Sequence, residues 1–174
     1  DRYQQMFAAD PYVSAQVTRR VKRYTDAPVL VKLSPNVTHI AKIAEAVVEA
    51  GADGITAINS VGPGLILDVE TRRPVLAHGT GGLSGPAIRP VAVRCVYDIC
   101  RAVDVPVVAT GGVSSGRDIV EMLLVGATAV GIGSAIQHRG IRVFEEASRE
   151  LETYMRAHGH NSLASLRGAA VIEH

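Results

Sequence analysis

Only two cysteines, Cys95 and Cys100, occur in the 174 residues, and no apolar run reaches the roughly 18 positions that a membrane-spanning helix needs. Charge or glycine interrupts each hydrophobic stretch, which predicts a soluble protein with no membrane association. No block of like charge is present either: 18 Lys and Arg stand against 17 Asp and Glu, for a formal net charge of +1. That balance argues against a nucleic-acid footprint or a polybasic membrane patch and favours work on a small molecule. The two cysteines sit five apart in a predicted helix, far apart around its circumference. They cannot pair with each other, Cys95 reads as a core residue, and the usage fits a reducing, cytoplasmic compartment. The six histidines, His39, His78, His138, His158, His160 and His174, show no metal-like spacing with Cys or Glu; they are read as surface residues, and no metal site is expected. The first residue is Asp1 rather than Met, with no signal peptide, and the sequence is read as a fragment of a longer chain.

What is present is a core-forming composition, 47% apolar, enough for one globular unit over residues 1–174. Four short runs rich in β-branched residues read as strands: 28–33, 54–58, 106–109 and 129–132. They lack polar alternation, so both faces of the sheet are expected to be covered. Helical stripes lie between them, at Ile40, Ile43, Ala44, Val47 and Val48, and at Ile88, Val91, Ala92, Cys95, Val96 and Ile99. Further stripes run through Ile119, Met122 and Leu123 and through Val143, Phe144, Ala147 and Leu151. Thr38 is the expected cap of the first stripe and Gly51 its stop, and a leading helix starts at Asp10-Pro11. The order is one helix, then strand and helix four times, which predicts an α/β fold with parallel strands. A doubly wound sheet shares that alternation. Here, however, every strand ends in a polar or glycine-rich segment, the pattern of the active face of an eightfold barrel, so the chain is read as about four βα units, half of a (β/α)8 TIM barrel.

The glycines need a reason, because each gives up backbone order. Gly111-Gly112 follows a strand and precedes a helix capped by Ser114 or Ser115, and Gly133-Ser134 repeats the device after the next strand. Exposed N–H groups together with a helix N-terminus make an anion cradle, and barrels commonly bind phosphate after their last two strands. The alternative is an ordinary pair of tight turns. The segment from Asn59 to Gly85 exceeds the usual two to six residues of such a connection and predicts a lid or binding loop; its apolar content argues against disorder. Lys32 lies within the apolar run 29–33, so it must face a ligand or pair with a structural carboxylate.

Five segments in order carry a family resemblance: Val31-Lys32-Leu33-Ser34-Pro35-Asn36-Val37-Thr38; Ala52-Asp53-Gly54 leading to Ile58-Asn59-Ser60; Asp68-Val69-Glu70-Thr71-Arg72-Arg73-Pro74; Gly81 through Pro90; and Gly111-Gly112-Val113. Together they resemble the catalytic subunits of dihydroorotate dehydrogenases over nearly the whole chain, most closely the two-subunit, NAD-linked class, and Asn59-Ser60-Val61-Gly62-Pro63-Gly64 is similar to archaeal members. The resemblance implies an FMN-containing barrel that oxidises dihydroorotate to orotate in pyrimidine synthesis. It further implies Lys32 beside the flavin ring, Asn59 and Ser60 on the substrate, and Gly85, Gly111, Gly112, Gly133 and Ser134 against FMN, the last four near its phosphate. It also implies a partner subunit carrying FAD and a [2Fe–2S] cluster, in a homodimer or heterotetramer.

In that class the catalytic base is a loop cysteine after the fourth strand. Met6-Phe7-Ala8-Ala9-Asp10-Pro11 is similar to the segment just after that loop, and neither Cys95 nor Cys100 matches it, so the base is expected upstream of Asp1. Open strand edges at 29–33 and 129–132 would then make the chain alone prone to dimerise. Two other readings stand beside this one. Dihydropyrimidine dehydrogenase shares the Lys-Leu-x-Pro-Asn-Val-Thr run, although Glu70-Thr71-Arg72-Arg73-Pro74 favours dihydroorotate, and a non-redox phosphate-binding barrel would share the cradle. The electron acceptor is either NAD or fumarate.

Overall fold

A computed structural model describes residues 7–170; Asp1, Met6 and His174 lie outside the described residues. In chain order the elements are α1 Pro11–Lys22, β1 Leu30–Leu33, α2 Ile40–Glu49, β2 Gly54–Ala57, β3 Val61–Leu65, β4 Leu67–Asp68, β5 Arg73–Pro74 and β6 Thr80–Leu83. Then come α3 Arg89–Ala102, β7 Val107–Thr110, α4 Gly116–Leu124, β8 Ala129–Gly131, α5 Ala135–Arg139 and α6 Val143–Ala157. The four strands read from the sequence are β1, β2, β7 and β8. They form one parallel sheet in that order, each pairing with the next in sequence. A doubly wound sheet reverses its strand order and carries helices on both faces. Neither happens here, and the sheet is a four-stranded segment of barrel wall.

Register decides which side chains meet the helices. Leu33, Ile55, Ala57, Val107 and Ala109 are buried against Ile40, Ile43, Ala44 and Val47 of α2 and Ala92, Cys95, Val96 and Ile99 of α3. The opposite face carries Lys32, Thr56, Val108 and Ala129 in one row across the four strands. Lys32 and Ala129 are exposed, and Thr56 and Val108 half-buried. The expectation that both faces are covered is therefore corrected: helices cover one face alone. Apolar and β-branched residues on the second face are those of a barrel's inner wall, where cover comes from the rest of the ring rather than from helices.

Helix boundaries follow local chemistry. The Asp10 carboxylate caps α1, accepting the N–H of Tyr12 at 2.8 Å and of Val13 at 3.3 Å. Lys22 at the end of that helix reaches Asp53 at 2.8 Å, and the same carboxylate oxygen accepts the Val29 N–H, tying α1 to the start of the sheet. Gly51 stops α2 as expected, in a left-handed conformation at φ +102°. Thr38 does not cap that helix: the cap position is His39, with no side-chain hydrogen bond, because residues 35–38 remain in bends and the helix begins at Ile40.

Segment 59–85 is ordered, as its apolar content predicts, but as two small antiparallel sheets, β3 with β6 and β4 with β5, which the sequence reading did not foresee. The Glu-Thr-Arg-Arg-Pro stretch forms the tip of the second, where Asp68 accepts the N–H and hydroxyl of Thr71.

The α4 start is a capping box. Ser115 Oγ accepts the Asp118 N–H, and the Asp118 carboxylate accepts the N–H groups of Ser114 and Ser115 and the Ser114 hydroxyl. Arg89 Nη1 adds an ion pair to Asp118 at 2.5 Å. Burial by itself would raise the Asp118 carboxyl, but the hydrogen bonds from Ser114 and Ser115 and the Arg89 charge outweigh it and hold the group below its ordinary value of 3.8. A lowered folded-state value stabilises the fold above the unfolded value, and that stabilisation is lost as the pH falls through the folded one. Asp118→Asn should therefore cost about 0.5–2 kcal/mol near neutrality. The difference from the parent protein should vanish in thermal melts taken at pH values well below 3.8.

Candidate functional site

Because β1, β2, β7 and β8 run parallel, their carboxyl ends share one edge, and the segments singled out in the sequence meet there. Lys32 stands on the open face one residue before the end of β1, beside Thr56 of β2. No carboxylate pairs with it among the described residues, so the alternative of a structural ion pair is not met. Asn59 is exposed and Ser60 half-buried just after β2, with the Asn59 N–H donating to the Leu33 carbonyl at 3.0 Å.

One residue in this region was given no role from sequence. Asn36 Nδ2 donates to the Ser60 carbonyl at 3.3 Å, and its Oδ1 accepts the Gly62 N–H at 3.0 Å, so its amide pins the turn that carries Asn59 and Ser60. An Asn after Pro in a loop has no periodicity to mark it; only the fold brings residues 36 and 60 together. Opposite this turn lies Gly82, where an added Cβ would stand 2.1 Å from Ser60 Oγ.

The glycine segments converge. Gly112, at φ +74°, approaches the start of α3 so closely that a Cβ would lie 2.8 Å from the Gly85 carbonyl and 2.8 Å from the Arg89 N–H nitrogen. A Cβ on Gly111 would lie 2.7 Å from Ala92 Cβ. Gly85 in turn faces Ser134, whose Oγ is 3.7 Å from a Cβ built there. Thus the turns before α3, after β7 and after β8 form one cluster, although about fifty residues of sequence separate the first from the last. Gly111 and Gly112 are buried, whereas Gly133 is exposed with open space around it. Close packing alone accounts for glycine at 111 and 112, so the alternative of tight turns is right about their first role. The N–H groups of Gly112, Gly133 and Ser134 donate to no protein acceptor among the described residues, which leaves three amides at the cluster for a ligand.

The contribution expected from the α4 terminus is corrected. Its leading N–H groups are engaged: those of Ser114 and Ser115 by Asp118, and that of Gly116 by Glu150 at 2.6 Å. With a carboxylate already on the positive end of the helix, an anion at this edge must be held by the turn amides.

Both cysteines sit in α3, away from this edge. Cys95 is fully buried, and burial raises its thiol. Cys100 packs against Gly126, in the turn that enters β8 at the opposite edge of the sheet, and burial pushes its thiol up to about 11. His39, His78, His138 and His158 are exposed and His160 is partly so, its ring stacked 6.5 Å from Tyr154 and its Nδ1 2.9 Å from Ser165 Oγ.

Comparison with known proteins agrees with these features. The family model described as dihydroorotate dehydrogenase matches residues 2–155. The catalytic subunit of dihydroorotate dehydrogenase B (NAD(+)) from Methanothermobacter thermautotrophicus is 48% identical over 161 residues, 92% of this chain and 53% of the relative. The corresponding subunit from Pyrococcus horikoshii is 43% identical over 93% of this chain and 53% of its own length. The chain thus spans about half the length of the curated relatives it matches. Among solved structures, ligand-free type DHODH from Eimeria tenella superposes with a TM-score of 0.69 at 27% identity, over 82% of this chain and 40% of that one. Family model, relatives and fold agree, and the chain belongs to the dihydroorotate dehydrogenase family.

Proposed function

We propose that the complete protein oxidises dihydroorotate to orotate in pyrimidine synthesis, with FMN held at the carboxyl edge of the sheet. The observation that carries this reading is the convergence of Gly85, Gly112 and Ser134 on the edge that also presents Lys32, Asn59 and Ser60. Turns packed this closely, with unengaged amides beside them and open space at Gly133, fit a phosphate tail approached by backbone.

The reaction removes a hydride from one ring carbon and a proton from its neighbour, leaving a carbon–carbon double bond. FMN, when bound, supplies the hydride acceptor. On this reading the turn amides of Gly112, Gly133 and Ser134 hold the phosphate, Gly111 packs behind them against Ala92, and Gly85 contacts the cofactor. Lys32, an ammonium with no carboxylate partner among the described residues, stabilises negative charge on the ring system. Asn59 and Ser60 orient the substrate through hydrogen bonds, in a turn that Asn36 keeps fixed. No side chain of this chain is assigned as the base. Burial raises both thiols, so each already carries its proton near neutrality and neither can act as a base, and neither lies at the edge.

The relatives' name, a catalytic subunit of an NAD(+)-linked enzyme, supports a separate electron-transfer subunit. We assign it the FAD and [2Fe–2S] chemistry that passes electrons to NAD, in a homodimeric or heterotetrameric assembly in the cytoplasm. Among the described residues no helix is long and apolar enough to cross a membrane.

Purified complete protein should be yellow and should form orotate from dihydroorotate. Reduction of uracil without orotate formation, or failure to bind added FMN, would contradict the assignment. Lys32→Met should lower turnover by about a hundredfold or more, the scale of losing one charge-stabilising group, with FMN still bound. The cysteines give an independent check. With its thiol near 11 rather than 9.0, Cys100 should be alkylated by iodoacetamide at pH 8 about a hundredfold more slowly than an ordinary thiol, read by mass spectrometry.

A further inference from the structure

The strands that precede the two turns offered to the phosphate pair as far as Thr110 with Gly131, and the turns lie beyond that last pairing. α5, which follows Gly133 and Ser134, has five residues and is bounded by Gly133 and by Gly140 at φ +67°; a helix of that length has little rigidity of its own. Its last residue is Arg139. One guanidinium nitrogen of Arg139, Nη1, donates to the carbonyl of Ser114, in the turn after β7. The other, Nη2, donates to Glu146 at 2.8 Å and to Glu150 at 3.3 Å, both on α6. Glu150 closes the circuit by accepting the Gly116 N–H at 2.6 Å. A second tie runs alongside it: Arg89, at the start of α3, pairs with Asp118 at 2.5 Å and with Glu121 at 2.9 Å.

The charge count of this network matters. Two guanidiniums meet four carboxylates, Asp118, Glu121, Glu146 and Glu150, so neither arginine is a spare cation. An anion near these turns gains nothing from the net charge of this network and depends on where the amides point. Geometry of that kind is sensitive to shifts of about 1 Å, and a planar guanidinium that grips a carbonyl on one side and carboxylates on the other suits the task of fixing it.

We propose that Arg139 is a positioning residue for the cradle, locking the turn after β8 against the turn after β7 so that amides from both reach one phosphate group. This rests on the phosphate reading given above, and its consequence is selective: Arg139 governs affinity for the phosphate tail and leaves the ring of the cofactor alone.

The test compares FMN with riboflavin, which has the same ring and no phosphate, on the complete protein stripped of flavin, by quenching of flavin fluorescence. The parent protein should prefer FMN strongly. Arg139→Met should weaken FMN by roughly tenfold or more, as expected for loss of charge-assisted hydrogen bonds, and change riboflavin affinity less than about threefold. Equal weakening of both ligands, the mark of a merely structural role, would overturn the proposal, as would no change in either. Glu150→Gln, which keeps the Arg139–Ser114 bond and the pair with Glu146, should reduce the FMN preference about threefold. An unchanged preference in that variant overturns the proposal even if Arg139→Met does not fold. Equal binding of FMN and riboflavin by the parent protein would instead overturn the phosphate reading, and the role of Arg139 with it.

Discussion

The approach of Gly112 to Gly85 and Arg89 is the contact on which the rest of the site depends. Backbone meets backbone there at a spacing that leaves no room for a side chain, and Gly112 takes a left-handed conformation that other residues rarely adopt. The contact sets the start of α3 against the end of β7, and Ser134 lies just beyond Gly85. Three strand–helix units therefore present their turns to one small region of space. Replace that glycine, and the turns must separate before any ligand is considered.

Around this contact the electrostatics are arranged indirectly. The positive end of α4 is met by Asp118 and the Gly116 N–H by Glu150, and Arg89 and Arg139 are held by carboxylates. On the proposed reading the site relies on dipoles held still. Lys32 is different: it stands on the uncovered face of the sheet with no carboxylate beside it among the described residues.

Much of this was legible in the sequence. The four strands carry apolar runs rich in β-branched residues, Asp10 and Ser115 stand where caps are needed, and polar or glycine-rich segments follow each strand, so element order and the shared carboxyl edge could be read from local patterns. Three features could not. Segment 59–85 folds as paired strands whose register depends on contacts such as Gly82 with Ser60, distant in sequence. The contacts of Asn36 and Arg139 are with partners 24 and 25 positions away, and neither a loop residue nor the end of a five-residue helix has a period to announce such a partner. The bare second face of the sheet was misjudged because a barrel's inner wall and a helix-covered face use the same apolar residues. Thr38 failed as a cap for a smaller reason: the bends at 35–38 delay the helix by one residue.

The central claim is that amides from two successive turns hold one phosphate. A crystal structure of the complete protein with FMN tests it most directly. The account predicts the phosphate within about 2.7–3.2 Å of the N–H nitrogens of Gly112 and of Gly133 or Ser134. A phosphate bound by one turn alone, or lying in solvent away from both, would contradict it.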